Sequence, residues 1–375
     1  MTSTGPLSIA VETRSPYTIR IGSGTIAELP ALLRAAVPAR RLALVTDATV
    51  ERLHAEAVLG PLRHAGLPAT CEVIDAGERH KTRETKQRIE DHLIEAGLSR
   101  DTVILGLGGG VVTDLAGFVA ATYMRGIPWV ALPTTLLAMV DASIGGKTAV
   151  DHPLGKNLIG AFHQPALVVV DVDFLRTLPE REMRQGLAEV AKAGIIGDAD
   201  LFALLSSHAD ALARRDAGAA IEIIGRACAV KASVVAADEK ESDLRQVLNF
   251  GHTIGHSLEQ ISGWAIPHGD AVAIGMVAES RIAVAAGLLA QETSGTIETA
   301  LRGLGLPVDW PREASVDAAI GAARRDKKSR GGALVFALPA AIGAMARGAD
   351  GFGIAIEAPV VERVLGAMRD RPGAP

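Results

Sequence analysis

The sequence predicts an α/β first half joined to a mainly helical second half, on three observations. Up to about residue 176, short β-branched runs alternate with segments of helical spacing, the pattern of a mainly parallel sheet with helices on its faces. From about residue 180, helical spacing takes over, with few strand signals before ALVFAL near 335. The opening LSIAVETRSPYTIRIG instead alternates with period two around a Ser-Pro turn, as an edge β-hairpin does. The expected division is a Rossmann-like α/β domain over residues 1–176 and a helical domain over 177–375.

The first-half elements follow in order. RLALVTD reads as a strand, TVERLHAEAVLGPLRHAG as a helix, CEVIDAG as a strand and KTRETKQRIEDHLIEAG as a helix. DTVILGLGGG is a strand running into a glycine turn, and WVALPTT and ALVVVDV continue the strand series. With 375 residues, 48% of them hydrophobic and 22% charged, the chain has material for two substantial cores. A formal net charge of -5 without a long basic block speaks against non-specific nucleic-acid binding. The stretches IPWVALPTTLLAMV and ALVFALPAAIGAMA are broken by Pro or Gly and too short to span a bilayer. Cys71 and Cys228 are too few for a disulfide framework, and both are read as buried thiols in a reducing compartment. The N-terminus has no charged region leading into an apolar core, so a cytoplasmic location is expected.

In open α/β sheets, ligands bind beyond the carboxyl ends of the strands, and three strand-end loops here carry suitable groups. DTVILGLGGGVVTDLAGF places Gly106, Gly108, Gly109 and Gly110 before a helix whose first turn holds Asp114. Val111 and Thr113 stand where a full G-x-G-x-x-G needs its third glycine, so this loop alone reads equally as a tight turn. IDAGERHKT adds Glu78 and Lys81, and the VTD strand end offers Asp47 for a ribose hydroxyl. Together the three loops favour a nucleotide. MVDASIGGKTAVDHPLGKN then sets Lys147, Lys156 and Asn157 among glycines, without a Walker A loop, because Asp141 occupies its first glycine position. The alternatives are a solvated loop or a phosphate-binding nest flanked by cations.

Three of the ten histidines fall within VLNFGHTIGHSLEQISGWAIPHGDAVAIGM. His252 and His256, four apart, share one helical face, and His268 follows a Gly/Trp/Pro break. Any one of them reads equally well as a core histidine bonded to a carbonyl. Three together, flanked by Arg245, Asn249 and Glu259, point to a divalent metal. Thr253 stands where an H-E-x-x-H peptidase needs its glutamate, which disfavours that chemistry. In RQGLAEVAKAGII, Glu189 and Lys192 lie three apart on one face. They form either a surface ion pair or a place where Glu189 completes a His₂Glu metal set.

Taken together, GGGVVTDLAGFVAATYMRG, PTTLLAMVDASIGGKTAVDHPLGKN, GLAEVAKAGII, KASVVAADEKESDLRQVLNFGHTIGHSLE, HGDAVAIGM and RRDKKSRGG closely resemble the 3-dehydroquinate synthases of the sugar phosphate cyclase family. The likeness keeps the same order from the N-terminal hairpin to about residue 345. It implies an NAD- and metal-dependent enzyme with Glu189, His252 and His268 as ligands, normally for zinc, with cobalt also compatible. His256 is then left over as a contact to the substrate phosphate. Implied NAD contacts fall on Asp47, Gly77, Glu78 and Lys81, on Gly109, Gly110, Val111 and Asp114, on Thr134 and Thr135, and on Lys147, Lys156, Phe174 and Thr177. Implied substrate contacts fall on Asp141, Lys147, Asn157, Lys192, Lys231, Arg245, Asn249 and His256, and on Lys327 and Lys328. Lys147, Lys192, Lys231, Glu241, Arg245 and His256 are the implied catalytic set, Glu241 matching a buried acid near the metal. Arg125 matches an arginine that reaches the partner subunit's site, which implies a homodimer.

The implied substrate is a seven-carbon phosphorylated keto acid. Departures from the family pattern are modest: Thr113 replaces Gly, Met139 Gln, Ala142 Ser, Ala149 Gly, Asp151 Asn and Asp270 Glu. An amino-dehydroquinate synthase shares the same residues. A metal- and NAD-dependent polyol dehydrogenase is disfavoured by the anion-binding cluster, and a non-catalytic homologue by the intact ligands.

Overall fold

The computed structural model describes residues 5–38, 41–325 and 333–371. They divide into two compact units, one of residues 1–183 with 211–236 and the other of 184–210 with 237–375. Residues 177–183 and 211–236, expected in the second domain, therefore cluster with the first.

The first unit opens with β1 (Leu7–Val11) and β2 (Tyr17–Gly22), an antiparallel hairpin as expected. Then come α1 (Leu29–Ala36), β3 (Arg41–Asp47), a single turn α2 (Ala48–Val50), α3 (Glu56–His64), β4 (Ala69–Ile74), α4 (Arg83–Glu95), β5 (Thr102–Gly108) and α5 (Gly110–Thr122). β6 (Trp129–Pro133), β7 (Lys147–His152), β8 (Gly155–Phe162) and β9 (Leu167–Asp171) follow. The main sheet has seven strands in the order β1-β2-β9-β6-β5-β3-β4, parallel apart from the hairpin. Every residue of β5, β6 and β9 is buried, which explains their apolar sequence, polar only at Thr102 and Asp171 at the strand ends: strands covered on both faces have no polar side to show. β4 is an edge strand, and Cys71 on it is exposed while Cys228 is buried. The expectation of two buried thiols is thus corrected for Cys71, because an edge strand leaves its outer positions to solvent.

The Lys147 glycine segment forms β7 and β8, an antiparallel hairpin outside the main sheet that packs on α5. Gly117 of α5 makes this packing close, since a Cβ there would meet the Thr148 side chain and lie 3.0 Å from Trp129 Cζ2.

The remaining helices are α6 (Glu180–Gly197), α7 (Ala199–Ala213), α8 (Ala217–Ala237), α9 (His252–Ile261), α10 (His268–Ala285), α11 (Gln291–Gly303), α12 (Val316–Arg325) and α13 (Ala358–Arg369). α8 belongs to the first unit through contacts such as Gly225 against Leu7 and the Cys228 thiol donating to Met139 O at 3.4 Å. In the second unit α9 and α10 cross with their backbones nearly touching. A Cβ on Gly255 would lie 3.1 Å from Ala271 O, and one on Gly275 2.9 Å from Gly255 N. Glycine at this crossing brings the two helix starts, His252 and His268, to one place. Among the described residues no helix is long and apolar enough to cross a membrane.

Candidate metal centre and cofactor loops

Three helices of the second unit converge on Glu189. This residue of α6 is 2% exposed, and its Oε1 lies 3.5 Å from His252 Nε2 and 3.4 Å from His268 Nε2. Four-coordinate zinc with bonds of 2.0–2.2 Å holds its ligand atoms roughly 3.3–3.6 Å apart, so these separations fit a shared cation. The rings are aimed from behind. His252 Nδ1 lies 3.1 Å from Phe250 O and His268 Nδ1 3.3 Å from Glu259 Oε2, which turns each Nε2 toward Glu189. Neither Glu189 oxygen has a hydrogen-bond partner of good geometry. Lys192 Nζ, 2.5 Å from Oε2, approaches as a charge without that alignment. A buried carboxylate left in this condition beside two ring nitrogens is a donor set for a divalent ion.

The buried groups set one another's protonation. Burial acts to raise the Glu189 pKa, but Lys192 and His268 outweigh it and hold the carboxylate well below its usual range. His252 is driven well below the ordinary imidazole value, by burial first and then by Lys192 and the neighbouring rings. For His268, burial is overcome by Glu189 and Glu259, and the ring is pushed up to about 10. A second grouping, His256 with Glu259 and His268, also meets metal-ligand spacing. His256 is exposed, its ring 5.1 Å from that of His252 and 6.1 Å from that of His268.

The loop before α9 is organised by Asp238, which sequence reading does not single out. Its carboxylate accepts from Ser242 N, Ser242 Oγ, Asp243 N and Arg245 N at 2.7–3.0 Å. These bonds overcome burial and hold its pKa well below the carboxylate range. Arg245, 1% exposed, donates from Nη1 to Glu239 O at 2.5 Å. Asn249 Nδ2 donates to Glu241 Oε1 at 2.6 Å. Glu241 is half-buried, not buried as expected, because it sits at a left-handed turn with φ 62°.

In the first unit, Lys81 is the hub. It is 3% exposed, and its Nζ donates to Asp114 Oδ2 and Asn157 Oδ1, both at 2.5 Å. Burial pulls its pKa down, but Asp114, Glu78 and Asp151 outweigh that and raise it. Asp151, whose Oδ1 accepts from Asn157 N at 2.9 Å, is pushed up to about 6, chiefly by burial and then by Glu78, against the pull of Asn157 and Lys81. Gly77, with φ 107°, starts the turn that carries Glu78.

Gly109 precedes α5, where no side chain caps the helix start; helix-start N–H groups attract phosphate. A Cβ on Gly109 would lie 3.2 Å from Thr135 Cγ2, and Thr134 N donates to Gly108 O at 2.9 Å. Gly109, Gly110, Val111, Thr134 and Thr135 thus share one region. Asp47 Oδ1 accepts from Thr49 N and Val50 N at 2.8 and 3.0 Å, so it caps α2. His54 gathers Phe174 and Thr177, its ring tilted at 47° against the first with centroids 4.6 Å apart and hydrogen-bonded to Oγ1 of the second at 2.8 Å.

Lys231 Nζ donates to Asp141 O at 2.6 Å and Oδ1 at 2.5 Å. Lys147 begins β7 and Lys156 lies on β8. Arg125 is exposed and, with Met124, holds positive φ (69° and 51°). Lys327 and Lys328 lie outside the described residues.

The family model described as 3-dehydroquinate synthase N-terminal matches residues 71–185, and the one described as 3-dehydroquinate synthase C-terminal matches 186–329. The 3-dehydroquinate synthase of Synechococcus sp. (strain CC9605) is 48% identical over 353 residues, 92% of this chain and 95% of that protein. Among solved structures, 2-epi-5-epi-valiolone synthase from Streptomyces hygroscopicus subsp. jinggangensis 5008, with NAD+ and Zn2+ bound, matches with TM-score 0.86 and 34% identity over 97% of this chain and 99% of that one. A 2-deoxy-scyllo-inosose synthase complexed with carbaglucose-6-phosphate, NAD+ and Co2+ has TM-score 0.86 at 24% identity, covering 97% of this chain and 100% of that one, a likeness of fold.

Proposed function

The chain belongs to the 3-dehydroquinate synthase family, and we propose that it converts 3-deoxy-D-arabino-heptulosonate 7-phosphate to 3-dehydroquinate and phosphate. What carries the reading is that two adjoining family models span residues 71–329, which include the convergent Glu189, His252 and His268. The reaction is a transient oxidation of a ring hydroxyl, β-elimination of phosphate, re-reduction and intramolecular aldol closure. NAD and a divalent metal, zinc or cobalt, would supply a hydride acceptor and a Lewis acid.

Glu189, His252 and His268 would hold the metal. The glycine start of α5, Gly77 with Glu78 and Lys81, Thr134 with Thr135, and the Phe174–Thr177 turn would hold NAD. Lys147, Asn157, Lys192, Lys231, Arg245 and His256 would bind the substrate's phosphate, carboxylate and hydroxyls, supplying orientation and charge stabilisation. No side chain is assigned as base, since the departing phosphate is itself a proton acceptor. We also propose a homodimer in which Arg125 serves the partner subunit; its exposure and the strained left-handed pair that presents it favour this reading. A reducing, cytoplasmic setting suits two free cysteines.

The test is phosphate release from the heptulosonate phosphate with NAD and metal present, with absorbance at 340 nm followed in parallel. Release without net NADH is the expected result. Steady NADH accumulation on a polyol, or turnover only of an amino-substituted substrate, would sink the proposal.

A further inference from the structure

We propose that Gln185 and Glu279 are positioning residues of the metal centre, each fixing the helix start that carries a histidine ligand. This inference rests on reading Glu189, His252 and His268 as the ligands. His252 and His268 are the first residues of α9 and α10, and neither N-cap residue, Gly251 or Pro267, caps its helix with a side chain. Buried N–H groups at a helix start need partners, and here they come from another helix. Glu279 of α10, 0% exposed, accepts from Gly251 N at 2.6 Å through Oε2 and from Ile254 N at 3.1 Å through Oε1. The two bonds bracket His252.

Gln185 lies on α6 four residues before Glu189, hence on the same face. It accepts from Gly269 N at 2.6 Å and donates to Asp270 Oδ1 at 2.9 Å, directly behind His268. Gly269 permits the approach, since a Cβ there would lie 2.5 Å from Gln185 O. Glu259 of α9 completes the circuit at His268 Nδ1. Each helix that supplies a ligand is therefore tied to another by a buried polar side chain.

The ties also answer an electrostatic problem. Two helix N-termini, each with partial positive charge, meet where a cation would bind. The Glu279 carboxylate sets a negative charge at one of them. Glu279→Gln removes that charge and turns one acceptor oxygen into a donor facing a backbone N–H. Gln185→Met keeps the side chain's length and removes both of its bonds.

The experiment loads metal-free full-length protein with Co2+, following the visible absorption spectrum and competition with a chelator, with thermal melting of the metal-free forms alongside. Glu279→Gln and Gln185→Met are expected to bind Co2+ about 10–100-fold more weakly than wild type, with altered spectra and melting temperatures close to it. Glu279→Asp should recover part of the loss. Wild-type affinity and spectrum in both variants would overturn the inference and leave the metal reading standing. So would a loss of affinity that merely follows a lost melting temperature with an unchanged spectrum. Wild-type protein that takes up no Co2+, or equal uptake after His268→Ala, would overturn the metal reading and this inference with it. Should Glu279→Gln not fold, Gln185→Met decides.

Discussion

His268 joins two carboxylates, Glu189 through Nε2 and Glu259 through Nδ1, so truncating it removes a proposed metal ligand and leaves both acids without that ring. His268→Ala, like treatment with a chelator, is expected to cut phosphate release by about three orders of magnitude or more, the several kcal/mol that a Lewis-acid metal supplies. A steady-state phosphate assay checks this. Asp238 gives a pH prediction. Its pKa is depressed in the fold, so its contribution to stability is fully present above the unfolded value of about 3.9 and is lost as pH falls through the lower folded value. Asp238→Asn should melt at a lower temperature than wild type at pH 7, and the gap should narrow below about pH 4, as calorimetry at both pH values would record. At this scale the candidate ligands were visible, because three histidines and a glutamate stand out in apolar segments. Asp238, Gln185 and Glu279 were not. Their work is to satisfy backbone N–H groups, and nothing in a sequence says which N–H lacks a local partner. Glu279 at the end of the apolar run AVAIGMVAES was the one available hint.

At the scale of elements, the α9–α10 crossing depends on glycine where the backbones meet. Gly275→Ala would drive a Cβ into the Gly251 carbonyl oxygen and to 2.9 Å from Gly255 N, where no flexible side chain can give way. The expected cost is about 1–3 kcal/mol in chemical denaturation, the usual range for overpacking, together with weaker metal binding because both helix starts would shift. The strands and helices of the first half were readable from period and β-branching. The β7–β8 hairpin was not: its glycines and lysines resemble an anion loop, and only the antiparallel pairing of Lys147–Val150 with Ile159–Phe162 marks it as sheet.

For the whole molecule, the homodimer proposal predicts complementation. Arg125→Ala and His268→Ala should each be nearly inactive alone. Refolded together, they should regain about a quarter of wild-type activity, since half the dimers are mixed and each mixed dimer has one intact site; no regain would remove Arg125 from the partner's site. By itself the sequence determined the succession of main-sheet strands and their helices and the glycine strand ends, because these follow from local periodicity and backbone sterics. Only the tertiary structure decided that residues 211–236 cluster with the sheet unit, that Cys71 lies on an exposed edge, and that Glu189 meets two histidines at 3.4–3.5 Å. Each of these depends on contacts between segments distant in the chain, which are set by packing.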